Sequence, residues 1–156
     1  MTKIVRDLIE YYFDEGSYIK APNFKQLNVD FMFLIPYDKP DIKNVLKVWS
    51  EPCIYYKKVI KTPEGISLEG QNLTGSGVLI EGNLNVKIEY LSSKENISTH
   101  TIDNYFPFSA YIVLPELFNF NSIVTTSILI EDVDITLLSE KQIYCNITLM
   151  AIADIC

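Results

Sequence analysis

The chain has 156 residues, 48% hydrophobic and 21% charged, the balance of a packed globular protein and not of a disordered one. One domain of this length buries about 68–70% of its unfolded surface, so neither metals nor disulfides are needed to hold a core. Thirteen basic against twenty acidic residues leave a net charge of −7, which excludes the basic face a nucleic acid needs and disfavours an anionic membrane surface.

Residues 1–16 carry Arg6, Asp7, Glu10, Asp14 and Glu15 among their apolar positions, so no uncharged signal core is read there, and no stretch is long and apolar enough to span a bilayer. Synthesis in a cytosol is expected. Residues 2–14 read as an amphipathic helix: Thr2 as N-cap, Ile4, Val5, Leu8, Ile9 and Tyr12 at three- and four-residue spacings, and Gly16 as a left-handed C-cap. Residues 17–44 read as a connecting segment with one strand, Val29, Phe31, Phe33 and Ile35 alternating until Pro36.

From residue 45 onward the period is two. Val78, Ile80, Leu84, Val86, Ile88 and Tyr90 share one face, with Gly82 among them where a bulge or close backbone approach is expected. Phe108, Ala110, Ile112 and Leu114 form a second such run. Ile143, Cys145, Ile147, Leu149, Ala151 and Ala153 form a third. The apolar parity switches across Glu131 and Asp132, which marks a bulge or a corner between sheets. Thr62-Pro63-Glu64-Gly65, Gly75-Ser76-Gly77 and Ser92-Ser93 read as turns. The predicted fold is all-β, an antiparallel two-layer sandwich of jelly-roll type with one N-terminal helix; residues 45–156 form the sandwich, packed with the rest as one domain.

Catalysis finds little footing. The single histidine, His100, reads as a strand residue on a wet face, and any triad would have to pass through it. Gly70 and Gly75 have a P-loop offset without its Lys and Ser/Thr. Glu131, Asp132 and Asp134 lack the glycine and distal glutamate of a calcium loop. No enzyme activity, cofactor or metal is expected. Trp49 reads as core, with sugar stacking alongside nearby tyrosines as the alternative.

Charge is segregated: residues 39–61, with Lys39, Lys43, Lys47, Lys57, Lys58 and Lys61, carry a net +4, and residues 62–156 a net −9. Such molecules could attract head to tail into a ring or filament, with Lys57, Lys58 and Lys61 in the contact. Equally, the lysines could guard an open sheet edge. The apolar stripe with Ile4, Leu8 and Tyr12 is a second candidate interface. Of three cysteines, Cys145 belongs to a buried face, and Cys53 and Cys156 are the candidates for an intersubunit disulfide; three reduced thiols are the alternative.

The run Val59-Ile60-Lys61-Thr62-Pro63-Glu64-Gly65-Ile66-Ser67-Leu68-Glu69-Gly70-Gln71-Asn72-Leu73-Thr74-Gly75, followed by Leu79-Ile80-Glu81-Gly82 and Lys87-Ile88-Glu89-Tyr90, resembles the SPOCS domain of sporulating Firmicutes. Pro107-Phe108-Ser109, Ile112-Val113-Leu114-Pro115 and Ile130-Glu131-Asp132-Val133 extend the match to about residues 45–150. The resemblance implies a role in the spore envelope and no catalytic residues. Better-known members add a peptidoglycan-binding LysM module, for which no segment here fits. The expectation is a self-assembling structural protein of the endospore coat, exosporium or a surface appendage, made in the mother-cell cytoplasm and ending on the spore surface. Its partners would be itself and other coat proteins. A monomeric adaptor using Tyr55, Tyr56 and Tyr111, and a carbohydrate-binding sandwich, are the alternatives.

Overall fold

A computed structural model describes residues 2–13, 23–93 and 98–156. Among the described residues there are eight strands: β1 (Thr2–Arg6), β2 (Ile9–Phe13), β3 (Asn23–Leu34), β4 (Ile42–Ile66), β5 (Asn72–Ser92), β6 (Thr99–Val113), β7 (Val124–Ser139) and β8 (Gln142–Ile155). They form a five-stranded sheet, β1-β2-β4-β5-β6, facing a three-stranded one, β3-β8-β7. All pairings are antiparallel except β2 with β4, which run parallel through Glu10–Phe13 and Lys47–Ser50. The sandwich is therefore as predicted in its two layers. Its consecutive strands β4, β5 and β6 are neighbours in one sheet, a meander in place of jelly-roll alternation.

The predicted N-terminal helix is a β-hairpin instead. Asp7 and Leu8 both adopt left-handed backbone, with φ of 52° and 65°, the pair of positive angles that a two-residue type I′ turn demands. The period-two reading of the same residues buries Tyr11 and Phe13 and half-buries Ile4 and Ile9 against the core. Tyr12 goes to the opposite, outer face, and Leu8 stands exposed at the turn. Ile4, Leu8 and Tyr12 thus share no face, and the stripe that the helical reading assembled from them does not exist. The cap expected at Gly16 lies outside the described residues.

The core between the sheets comes from strict alternation. In β5, Val78, Ile80, Leu84, Val86, Ile88 and Tyr90 are buried, and in β8 Ile143, Cys145, Ile147, Leu149, Ala151 and Ala153. The parity switch at Glu131 is a bulge, a register shift between Ile130 and Asp132 against β8. Gly82 is a close approach: a Cβ there would collide with the Cys53 carbonyl and the Phe108 ring, beside the shift in β4 between Ile54 and Tyr56. Two readings of turns are corrected. Thr62–Gly65 and Gly75–Gly77 lie within β4 and β5, because a register shift between Lys61 and Glu64 lets the strands continue past the proline; the reversal is at Ser67–Gly70, where Gly70 has φ 84°.

Cations from the larger sheet cap the edge of β7. Arg6 donates to the Val133 carbonyl at 3.3 Å and to Asp132 at 2.9 Å, with Asp134 at 3.6 Å. Lys57 Nζ donates to the Val124 carbonyl at 2.7 Å. The half-exposed ion pairs themselves add little stability; what they do is satisfy edge carbonyls that would otherwise invite another strand.

Candidate functional site

The most prominent surface feature is the far end of β4 and β5. β2 pairs with β4 only through Lys47–Ser50, and β6 pairs with β5 only from Gly77 onward. Beyond those limits β4 and β5 run on as a two-stranded ribbon, Glu64 opposite Thr74, Gly65 opposite Leu73 and Ile66 opposite Asn72. A bare ribbon is marginally stable, and this one is braced by the 114–123 loop. Thr74 Oγ1 donates to the Leu114 carbonyl, Leu114 N–H to the Ser76 carbonyl at 3.0 Å, and Tyr111 O–H to Thr62 Oγ1 at 3.3 Å. Lys61 sits 5.0 Å from the centre of the Phe120 ring. Lys25 of β3 meets Glu69 at 3.3 Å.

The ribbon tip, with Ile66 and Leu68, and the bracing loop, with Leu117, Phe120 and Ile123, both present apolar side chains to water. Leu68, Leu117, Ile66 and Ile123 are largely exposed, and Phe120 is about half exposed. Exposed large apolar side chains grouped on a protruding element mark a contact surface more often than a solvated one. None of these was picked out from the sequence as an interface residue; the signal was present, as Ile66 and Leu68 fall inside a glycine-punctuated stretch with no opposing apolar period.

The predicted basic contact lies on the open side of β4. Lys57 is engaged with β7, Lys61 with Phe120, and Lys58 is exposed. With Pro52, Pro63 and two register shifts in the same stretch, they lie along a strand edge that has no partner strand among the described residues. Tyr55 and Tyr56 are exposed there, whereas Tyr111 is half-buried over Gly77.

Trp49 is not core. On the outer face of the larger sheet, Lys3, Tyr12, Trp49, Lys87 and Asp103 stand in one cross-strand row. Tyr12 stacks on Trp49 with ring centres 5.5 Å apart, Lys3 lies 6.0 Å from the Tyr12 ring, and Lys87 5.5 Å from the Trp49 ring. Each ring thus has the other ring and a lysine as neighbours in the row. The row braces the short parallel junction of β2 with β4. Asp132 and Asp134 hold Arg6, and His100 stacks on Tyr90 at 5.7 Å while its Nε2 meets Ser98 Oγ at 2.8 Å.

The cysteines divide as predicted in exposure. All three are free; Cys53 and Cys156 are exposed and Cys145 is buried. Burial pushes the Cys145 thiol up to about 12. An aromatic disulfide reagent is expected to label two thiols in the native protein and the third only after denaturation; fast labelling of all three would contradict this placement. Cys145 stays protonated in the fold and ionises near its ordinary 9.0 when unfolded. It therefore contributes stability that is complete below about pH 9 and is lost as pH climbs toward 12. Cys145→Ala should flatten that part of the alkaline stability profile.

The fold is a two-sheet β-sandwich with a braced ribbon that carries exposed apolar side chains. A family model described as SipL, SPOCS domain, matches residues 41–138, and the chain belongs to that family, which points to a sporulation-associated role. The matched span holds β4 to β7; β1, β2, β3 and β8 lie outside it. No curated protein and no solved structure matches.

Proposed function

We propose that this protein is a non-enzymatic structural subunit of the endospore envelope that associates with copies of itself, made in the mother cell and ending in the coat, exosporium or an appendage at the spore surface. The observation that carries this reading is the ribbon: the residues of the SPOCS resemblance from Lys61 to Gly75 form an exposed arm tipped by Ile66 and Leu68. Two accessible thiols, Cys53 and Cys156, supply a means of locking contacts once the surroundings become oxidising. Sedimentation of the purified chain in reductant is expected to show association that grows with concentration, and oxidation to add covalent multimers that Cys53→Ser with Cys156→Ser removes. A monomer under every one of these conditions would contradict the proposal.

The adaptor reading keeps one supporting feature, the exposed pair Tyr55 and Tyr56 on the open side of β4. It calls for capture of a different coat polypeptide in preference to a second copy, which pull-down from sporulating cells against a self-association control decides.

A further inference from the structure

At the opposite end of β4 from the ribbon, a groove of about 410 Å³ opens between the β1–β2 turn, the start of β4 and the end of β7. It is lined chiefly by Leu8, Ile9, Lys43, Leu46, Ile135 and Leu137. Leu8 is 92% exposed and Leu137 39%, so the walls are apolar surface in contact with water. The groove exists because β2 stops pairing at Lys47, leaving Lys43–Leu46 without a strand on that side. Register shifts on both sides of this stretch, between Ile42 and Asn44 and between Val45 and Lys47, bend the strand away. Lys43 and Asp7 are its charged residues, and Lys43 forms no ion pair among the described residues.

We propose that this groove receives the β4–β5 ribbon tip of a second copy of the chain, with Leu68 and Ile66 against Leu8 and Leu137 and Glu64 beside Lys43. The proposal rests on the self-association reading and assigns its contact. Three observations select this occupant. The tip presents the matching chemistry, two exposed aliphatic side chains on a tight reversal at Ser67–Gly70. It is acidic: no lysine or arginine occurs between residues 62 and 86, and of its carboxylates Glu69 is taken by Lys25 while Glu64 is unpaired among the described residues. Finally, groove and tip sit at the two ends of one strand, roughly 70 Å apart at the usual rise per residue, so a molecule cannot fill its own groove. A contact between two different patches is heterologous, and its repetition builds a ring where the rotation between copies closes and an open head-to-tail filament where it does not.

The test is sedimentation velocity of the full chain in reductant with one variant at each end. Leu8→Asp places a carboxylate in the groove where the tip is acidic, and aspartate tolerates the left-handed turn position better than leucine, so the fold is kept. Leu68→Asp alters the tip at a fully exposed site. Each alone is expected to weaken association about tenfold or more. An equimolar mixture, which retains one intact groove and one intact tip, should form a dimer and nothing longer. Lys43→Glu and Glu64→Lys should each weaken association and together restore it. Wild-type association that survives both Leu8→Asp and Leu68→Asp would overturn the groove-and-tip contact while leaving self-association standing. A wild-type chain that never associates would overturn both.

Discussion

Removing residues 140–156 is expected to abolish cooperative folding, although the family match ends at residue 138. The deleted strand, β8, is the centre of the smaller sheet and pairs on one side with β3 from Asn23 to Leu34 and on the other with β7 from Val124 to Ser139. Without it those two strands have no common neighbour, and the larger sheet faces water. Ile143, Ile147 and Leu149 are fully buried, and burying three such side chains contributes about 5–9 kcal/mol. That alone is of the order of a whole domain's stability, about 5–15 kcal/mol. Calorimetry and amide exchange should find no cooperative transition and no protected amides in the 1–139 chain. A cooperative melt from that piece would mean that the larger sheet carries the fold alone, against the two-layer description.

The second large effect concerns Gly82. An added methyl there meets the Cys53 carbonyl, which belongs to the backbone of the neighbouring strand and cannot rotate aside, and the Phe108 ring behind it. Gly82→Ala is expected to cost about 3 kcal/mol, which lowers the melting temperature of a domain this size by roughly 6–12 °C. Gly77→Ala is the informative comparison. Its methyl meets only the outer end of the half-buried Tyr111 ring, a side chain that can swing outward at the loss of its hydrogen bond to Thr62. That variant should lose about 1 kcal/mol. Equal losses at the two positions would contradict the close packing of β4 on β5 at the bulge.

Much of the sandwich was legible because its inner faces obey a strict period. Val78 to Tyr90 and Ile143 to Ala151 alternate in burial along their strands, and a buried face with period two admits one reading. Even the bulge at Glu131 announced itself through a change of parity. The N-terminal hairpin was not legible. Ile4, Val5, Leu8, Ile9 and Tyr12 fit a helical stripe, and the turn between the strands is Asp7-Leu8, without the glycine or asparagine that normally marks two consecutive left-handed residues. Long-range contacts decided the outcome: Tyr11 is buried in one cluster with Val133 and Ile135 of β7, and Arg6 reaches the Val133 carbonyl, neither of which local spacing encodes.

The candidate site was legible in part, and for a related reason. Lys57, Lys58 and Lys61 were recognisable as either an interface or an edge guard, and what local spacing did not encode is that β2 covers only Lys47–Ser50 of β4 and leaves the edge beside them open. Trp49 was read as core because large aromatics usually are. Its outward position follows from the parity of β4, where Val48 and Ser50 point inward. The ribbon was misjudged because Pro63, Gly65 and Gly75 look like punctuation; in a bulged two-stranded arm with no further strand paired to either side, they are tolerated within the strands.

The most direct trial of self-association is electron microscopy of the purified chain, concentrated and then moved from reducing to oxidising buffer. Ordered linear polymers, forming before oxidation and persisting in detergent after it, are the result expected of a subunit that docks tip to groove and is then locked by its exposed thiols. Fields of single, separate particles at every concentration and redox state would contradict it.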